Sequence, residues 1–179
     1  MGLHQVDKVD VTSAVSDIQL TGINTDDVYM LIGTGVHVVT NGGFIQTRVV
    51  KDVGGTPTTL SDDDYKIAAM SLRANSTFYD YANNGVNRTE IYWQGAQPHS
   101  NDVNGEGAAC IMYLHNFNSS SEYSSIIIND MAIESTSTSI NGNVGGVQFA
   151  VNEAHIGISI SGYSTNIDGG KFTLYRIGE

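Results

Sequence analysis

Five histidines, a single cysteine and a run of three aspartates are the residues of this chain best suited to chemistry. The histidines are His4, His37, His99, His115 and His155. None stands in a His-Glu-x-x-His or His-x-His arrangement, the spacings that bring two imidazoles to one face around a metal. His37, His115 and His155 lie among apolar residues in strand-like segments, which reads as structural imidazole. His99 lies near Asp102 and Glu106, where a weak metal site competes with the plainer reading of a chance loop cluster. Cys110 sits in Ala108-Ala109-Cys110-Ile111-Met112. A nucleophilic thiol needs basic, partly exposed surroundings that lower its pKa. These neighbours are small and apolar, so Cys110 reads as a buried structural cysteine. Asp62-Asp63-Asp64 could coordinate calcium together with backbone carbonyls. The alternation of an EF-hand loop is missing, so a solvated acidic turn is the simpler reading.

Other catalytic signatures are missing. There is no Gly-x-Ser-x-Gly elbow and no glycine-rich loop ending in Gly-Lys-Ser/Thr. Acids are scattered, and none sits among aromatics as a glycosidase carboxylate would. Tyr79, Tyr81, Tyr92 and Trp93 form the main aromatic concentration. They read as a core Trp with surface Tyr, or, more sharply, as a sugar-stacking platform. The sequons at Asn75, Asn87 and Asn118 matter only in a secreted chain. One cysteine leaves no internal disulfide and no multi-cysteine zinc site. The expectation is no catalytic residue, no cofactor and no required metal.

Charge narrows the partners. Nineteen acids face eight bases, a net charge of −11. Nucleic-acid binding through phosphate neutralisation needs clustered Lys and Arg, and here the bases are single and dispersed. An anionic membrane surface is disfavoured for the same reason. The first residues, Met-Gly-Leu-His-Gln-Val-Asp, do not resemble a signal peptide. Val6 stands where a myristoylation signal needs Ser or Thr. No apolar run approaches the roughly 20 residues that span a bilayer. The expected product is soluble and made in a cytoplasm.

The elements that must carry these residues are strands. Ile and Val number 33, against 7 Leu and 11 Ala. β-Branched residues suit a pleated, half-buried surface, whereas Leu and Ala suit helices. Candidate strands are 4–11, 16–22, 27–32, 35–40, 43–51, 65–73, 89–94, 108–115, 122–129, 130–136, 145–151, 154–161 and 171–177. Asn-Gly, Gly-Gly and Asp-Gly separate most of them, the residues of tight hairpins. Residues 61–74 are balanced between helix, on the Ser61 cap and acidic first turn, and strand, on the alternation of Tyr65, Ile67, Ala69 and Ser71. Residues 95–107 read as the longest loop. Ile126-Ile127-Ile128 and Ala108 to Leu114 are apolar on both faces of a strand, so a neighbouring subunit or a folded-back loop such as 95–107 must cover the second face. The expected architecture is an all-β antiparallel sandwich with residues 1–15 as an arm or first strand and 16–179 as the domain.

A family resemblance adds to this. The segments Gly22 to Gly33, Gly42 to Val50, the Asp64-Tyr65 start after an acidic turn, and Gly169 to Ile177 resemble a diffuse class of bacteriophage virion proteins, especially from phages of marine bacteria and cyanobacteria. The likeness spans about residues 16–179 as a pattern of turns and apolar positions, without an invariant site. Arg176 stands where that class often has Gly. The resemblance implies a jelly-roll-like sandwich on the virion surface, bound to the major capsid protein or other virion proteins, as a homo-oligomer with a trimer favoured. The function expected first is capsid decoration or cement. The alternatives are a tail-fibre or appendage module that binds host glycan, and a carbohydrate-binding module.

Overall fold

In a computed structural model, residues 2–40, 43–61, 64–74, 79–80, 85–88, 91–92, 107–133 and 140–178 are described. Among them fourteen strands run in sequence. The first seven are β1 (Gly2–Val11), β2 (Asp17–Thr21), β3 (Val28–Val38), β4 (Phe44–Val53), β5 (Thr56–Thr59), β6 (Tyr65–Arg73) and β7 (Tyr79–Asp80). The rest are β8 (Gly85–Arg88), β9 (Ile91–Tyr92), β10 (Ala108–His115), β11 (Ser125–Ile133), β12 (Ile140–Phe149), β13 (Gly157–Tyr163) and β14 (Ile167–Gly178). No helix occurs among the described residues.

The strands form two antiparallel sheets packed together, a jelly-roll-like sandwich. The large sheet has the order β1-β14-β3-β10-β11-β12-β6-β7, with β8 also on β6. The small sheet has the order β2-β13-β4-β5, with β9 also on β4. Alternation explains the core. Tyr29, Leu31, Met112, Ile128, Phe172 and Leu174 point inward from the large sheet, and Ile18, Leu20, Ile45, Val49, Ile158 and Ile160 from the small one. Each such side chain contributes roughly 1.5–3 kcal/mol by leaving water. Register aligns them in rows: Leu20, Ile158 and Val49 are cross-strand partners on β2, β13 and β4.

Several boundaries differ from those the sequence suggests. Residues 61–74 hold β6, not a helix. Pairing with β12 from Tyr65↔Phe149 to Arg73↔Asn141 outweighs the helix propensity of Lys66 to Ala74. Segments 27–32 and 35–40 are one strand, because Gly35 at φ 58° carries a bulge instead of a turn. Segments 122–129 and 130–136 likewise merge in β11. Asn141-Gly142 and Asp168-Gly169-Gly170, expected turns, lie inside β12 and β14. Gly54-Gly55 does make the tight β4–β5 turn, with φ of 63° and 87°. Of residues 1–15, Gly2–Val11 form β1, the edge strand of the large sheet, paired along β14. Of the expected long loop, residues 95–106 lie outside the described residues.

Candidate functional site

The densest chemistry lies beneath the loop before β13. Ser124 Oγ is 2.7 Å from His155 Nδ1, and His155 Nε2 faces Glu153 Oε1 at 3.5 Å. Glu153 Oε2 in turn pairs with the Lys51 ammonium on β4. The order Ser, His, acid is that of a nucleophilic relay. Two facts set it apart from one. Ser124 and His155 are fully buried, and the Phe117 and Phe149 rings stand edge-on to the imidazole at centroid distances of 5.7 and 4.9 Å. The space beside Ser124, between Val49, Tyr65, Phe117 and Phe149, is too small for a water. Burial also pushes the His155 pKa down from 6.5 to about 4, against the pull of Glu153, so the ring is neutral at pH 7. The Ser124 hydroxyl, which also reaches the Asn116 carbonyl at 3.3 Å, and the neutral ring's Nδ1 share one hydrogen bond. The backbone completes the tie: His155 N–H donates to the Phe117 carbonyl at 2.6 Å. The cluster fastens the β10–β11 connection, the β12–β13 connection and β4 to one another.

A second polar group lines the inner face of the large sheet. Cys110, Asp130, Asn143 and Ser71 are consecutive cross-strand partners on β10, β11, β12 and β6, all at most 2% exposed. Asn143 Nδ2 donates to both Asp130 carboxylate oxygens at 3.3 Å. Burial raises the Cys110 thiol well above its ordinary value and Asp130 adds to the shift, which leaves a protonated, unreactive sulfur. Among the described residues, no three or more His, Cys, Asp or Glu side chains gather to hold a metal.

The outer faces of the two sheets contrast sharply. On the small sheet several outward side chains are polar and bonded to one another, Gln19 to Thr59, Gln46 to Ser161 and Ser159 to Asp17, beside Phe44, Val50 and Tyr163 on the same face. On the large sheet the outward side chains are polar at β1 and β14, with Lys8, Asp10, Lys171 and Thr173, and largely apolar from β3 across to β6. Met30, Tyr113, Ile127, Gly146 and Ala68 form one outward row across β3, β10, β11, β12 and β6. Ile32, Ile111, Asn129, Val144 and Met70 form the next, followed by Ala109, Met131, Gly142 and Leu72. Among the described residues, from β6 and β10 to β12 this face displays no carboxylate, in a chain that carries 19, and Lys66 is its one charged residue. Gly146 and Ala68 leave a trough beside Ile127, of about 600 Å³ and open to solvent.

The residues singled out by sequence scatter. His4 is exposed on β1, His37 is half-buried on β3, and His115 ends β10. His99, Asp102, Glu106, Asp62, Asp63, Asn75, Tyr81 and Trp93 lie outside the described residues. So do the side chains of Tyr79, Tyr92 and Asn87. Asp64 is described, and its carbonyl accepts the Ala150 N–H at 2.9 Å. Of the described histidines, His155 is the one that joins a cluster, with Ser124, Glu153 and Lys51. Ser124 and Lys51 were invisible as its partners in sequence, because Ser124 lies 31 residues before His155 and Lys51 lies 102 residues before Glu153. No family model matches the chain, and no curated protein matches it.

Proposed function

We propose that this chain is a non-enzymatic structural protein of a phage virion, a capsid decoration or cement protein that packs against neighbouring virion proteins. The observation that carries the reading is the outer face of the large sheet. An antiparallel sheet with one solvated face normally turns polar residues outward, and the small sheet of this chain does so in part, with Asp17, Gln19, Gln46, Ser159 and Ser161 beside Phe44, Val50 and Tyr163. The large sheet instead presents aligned Met, Ile, Val, Leu and Tyr, depleted of charge as the centre of a protein interface is. The burial of Ser124 and His155 speaks for the non-enzymatic part: the space beside the hydroxyl is too small even for a water. The resemblance of residues 16–179 to phage virion proteins supplies the setting, and the net charge of −11 suits a soluble surface component.

The experiment is electron cryomicroscopy of particles of the encoding phage made with and without the gene, together with mass spectrometry of purified virions. Density on the capsid exterior that disappears with the gene supports the reading. Absence of the chain from purified virions overturns it.

A further inference from the structure

The outward row across the centre of the large sheet has a shape as well as a polarity. Tyr113 and Ile127 stand side by side as a ridge, 38% and 52% exposed. The same row continues into Gly146 and Ala68, where the missing side chains make the open trough. Ridge and trough therefore lie next to each other in one patch. A two-fold axis lying along the strands between β11 and β12 would set β11 of one copy over β12 of the other. The ridge of each copy then enters the trough of the other. A self-complementary patch is what an isologous two-fold contact requires.

We propose that the outer face of the large sheet is a homodimer interface, in which Tyr113 and Ile127 of each copy seat against Gly146 and Ala68 of a second copy.

Area and charge both favour a second copy as the occupant. Met70, Leu72, Ile111, Tyr113, Ile127, Met131, Ile140 and Val144 are 38–52% exposed. Large side chains carry roughly 150–250 Å² each, so together these offer on the order of 600 Å². With the half-covered residues between them, the face approaches the approximately 800 Å² per partner of a standard interface. Copies at −11 repel each other over most of their surface, but among the described residues β6 and β10 to β12 bring no carboxylate to this contact. A trimer, which the family resemblance implies, uses two different patches per copy. The ridge-and-trough patch is one surface and pairs with itself.

This inference rests on the reading of the outer face as an assembly surface, and its test is separable from the test of that reading. Sedimentation equilibrium and light scattering on the purified full-length chain give the mass from micromolar to millimolar concentration. The expected result is a dimer for the native chain and a monomer for both Ile127→Asp and Gly146→Leu. Both positions face solvent, and a Cβ at Gly146 meets nothing nearer than Ile126 O at 3.9 Å, so the fold has room for the change. Unchanged far-ultraviolet dichroism checks that each variant is folded. A native chain that is monomeric or trimeric throughout, or folded variants that remain dimeric, overturns the pairing. A monomer that still enters virions overturns the pairing alone. A dimer absent from virions overturns the virion reading alone.

Discussion

Ser124 Oγ and His155 Nδ1 meet at 2.7 Å inside the protein, between two connections that hold different strand pairs in place. The hydrogen bond satisfies a buried ring nitrogen that has no other partner. Ser124→Ala leaves that nitrogen bare and is expected to cost about 1–3 kcal/mol, the desolvation cost of an unpaired buried polar atom. Chemical denaturation at neutral pH checks the value. No loss beyond the few tenths typical of a surface serine would contradict the structural role.

The same imidazole makes folding sensitive to acid. Its folded pKa of about 4 lies below the ordinary 6.5, so between those values the unfolded chain takes up a proton that the folded chain refuses. Stability therefore falls as pH drops from about 6.5 to 4, by on the order of 3 kcal/mol from this residue. A proton NMR titration should show the His155 ring resonances flat from pH 8 to pH 5. An inflection near 6.5 would place the ring in solvent.

Cys110 is expected to be silent toward thiol reagents in the native protein. Burial raises its pKa well above the ordinary value, with Asp130 adding to the effect and a backbone hydrogen bond at Gly33 working the other way. Labelling at neutral pH should be slow when native and fast in denaturant. Native labelling at the rate of a free thiol would contradict the burial.

Different levels of the structure are legible to different degrees in the sequence. The β class follows from Ile and Val, and the burial of Cys110 from its apolar neighbours. The outward apolar face of β10 and β11 follows from Ile126-Ile127-Ile128 and from Ala108 to Leu114, where alternation fails on both sides. Glycines misled where they mark a bulge or a close strand approach in place of a turn, as at Gly35, Gly142 and Gly169. Local chemistry cannot tell these cases apart, because the deciding partner strand is distant in sequence. The Ser124–His155–Lys51 cluster was unreadable for the same reason.

Residues 1–11 should prove structural. β1 covers the open edge of β14 from Gly178 to Gly170, and Asp7 Oδ2 accepts the Thr21 N–H at 2.8 Å. A chain lacking residues 1–11 would bare a long strand edge, the usual template for aggregation. The expected outcome is lower solubility and a lower melting temperature. A truncated chain as soluble and as stable as the whole would show that β1 adds nothing to the fold.

Two glycines of the strands carry opposite expectations, and comparing them tests the packing directly. A Cβ at Gly157 would lie 2.1 Å from the Leu20 carbonyl oxygen, a backbone atom fixed in the β2–β13 pairing. Neither side can yield without separating the strands that carry Leu20 and Ile158 into the core. Gly157→Ala should therefore destabilise by more than about 2 kcal/mol, in the range of forced overpacking. At Gly146 the added methyl meets only Ile126 O at 3.9 Å. There alanine costs nothing sterically and removes backbone entropy from the unfolded chain, so Gly146→Ala should be neutral or stabilising by up to about 1 kcal/mol. Melting temperatures of the two variants, measured side by side, decide it. Equal stability of the two would mean that β2 and β13 do not approach as closely as the paired register requires.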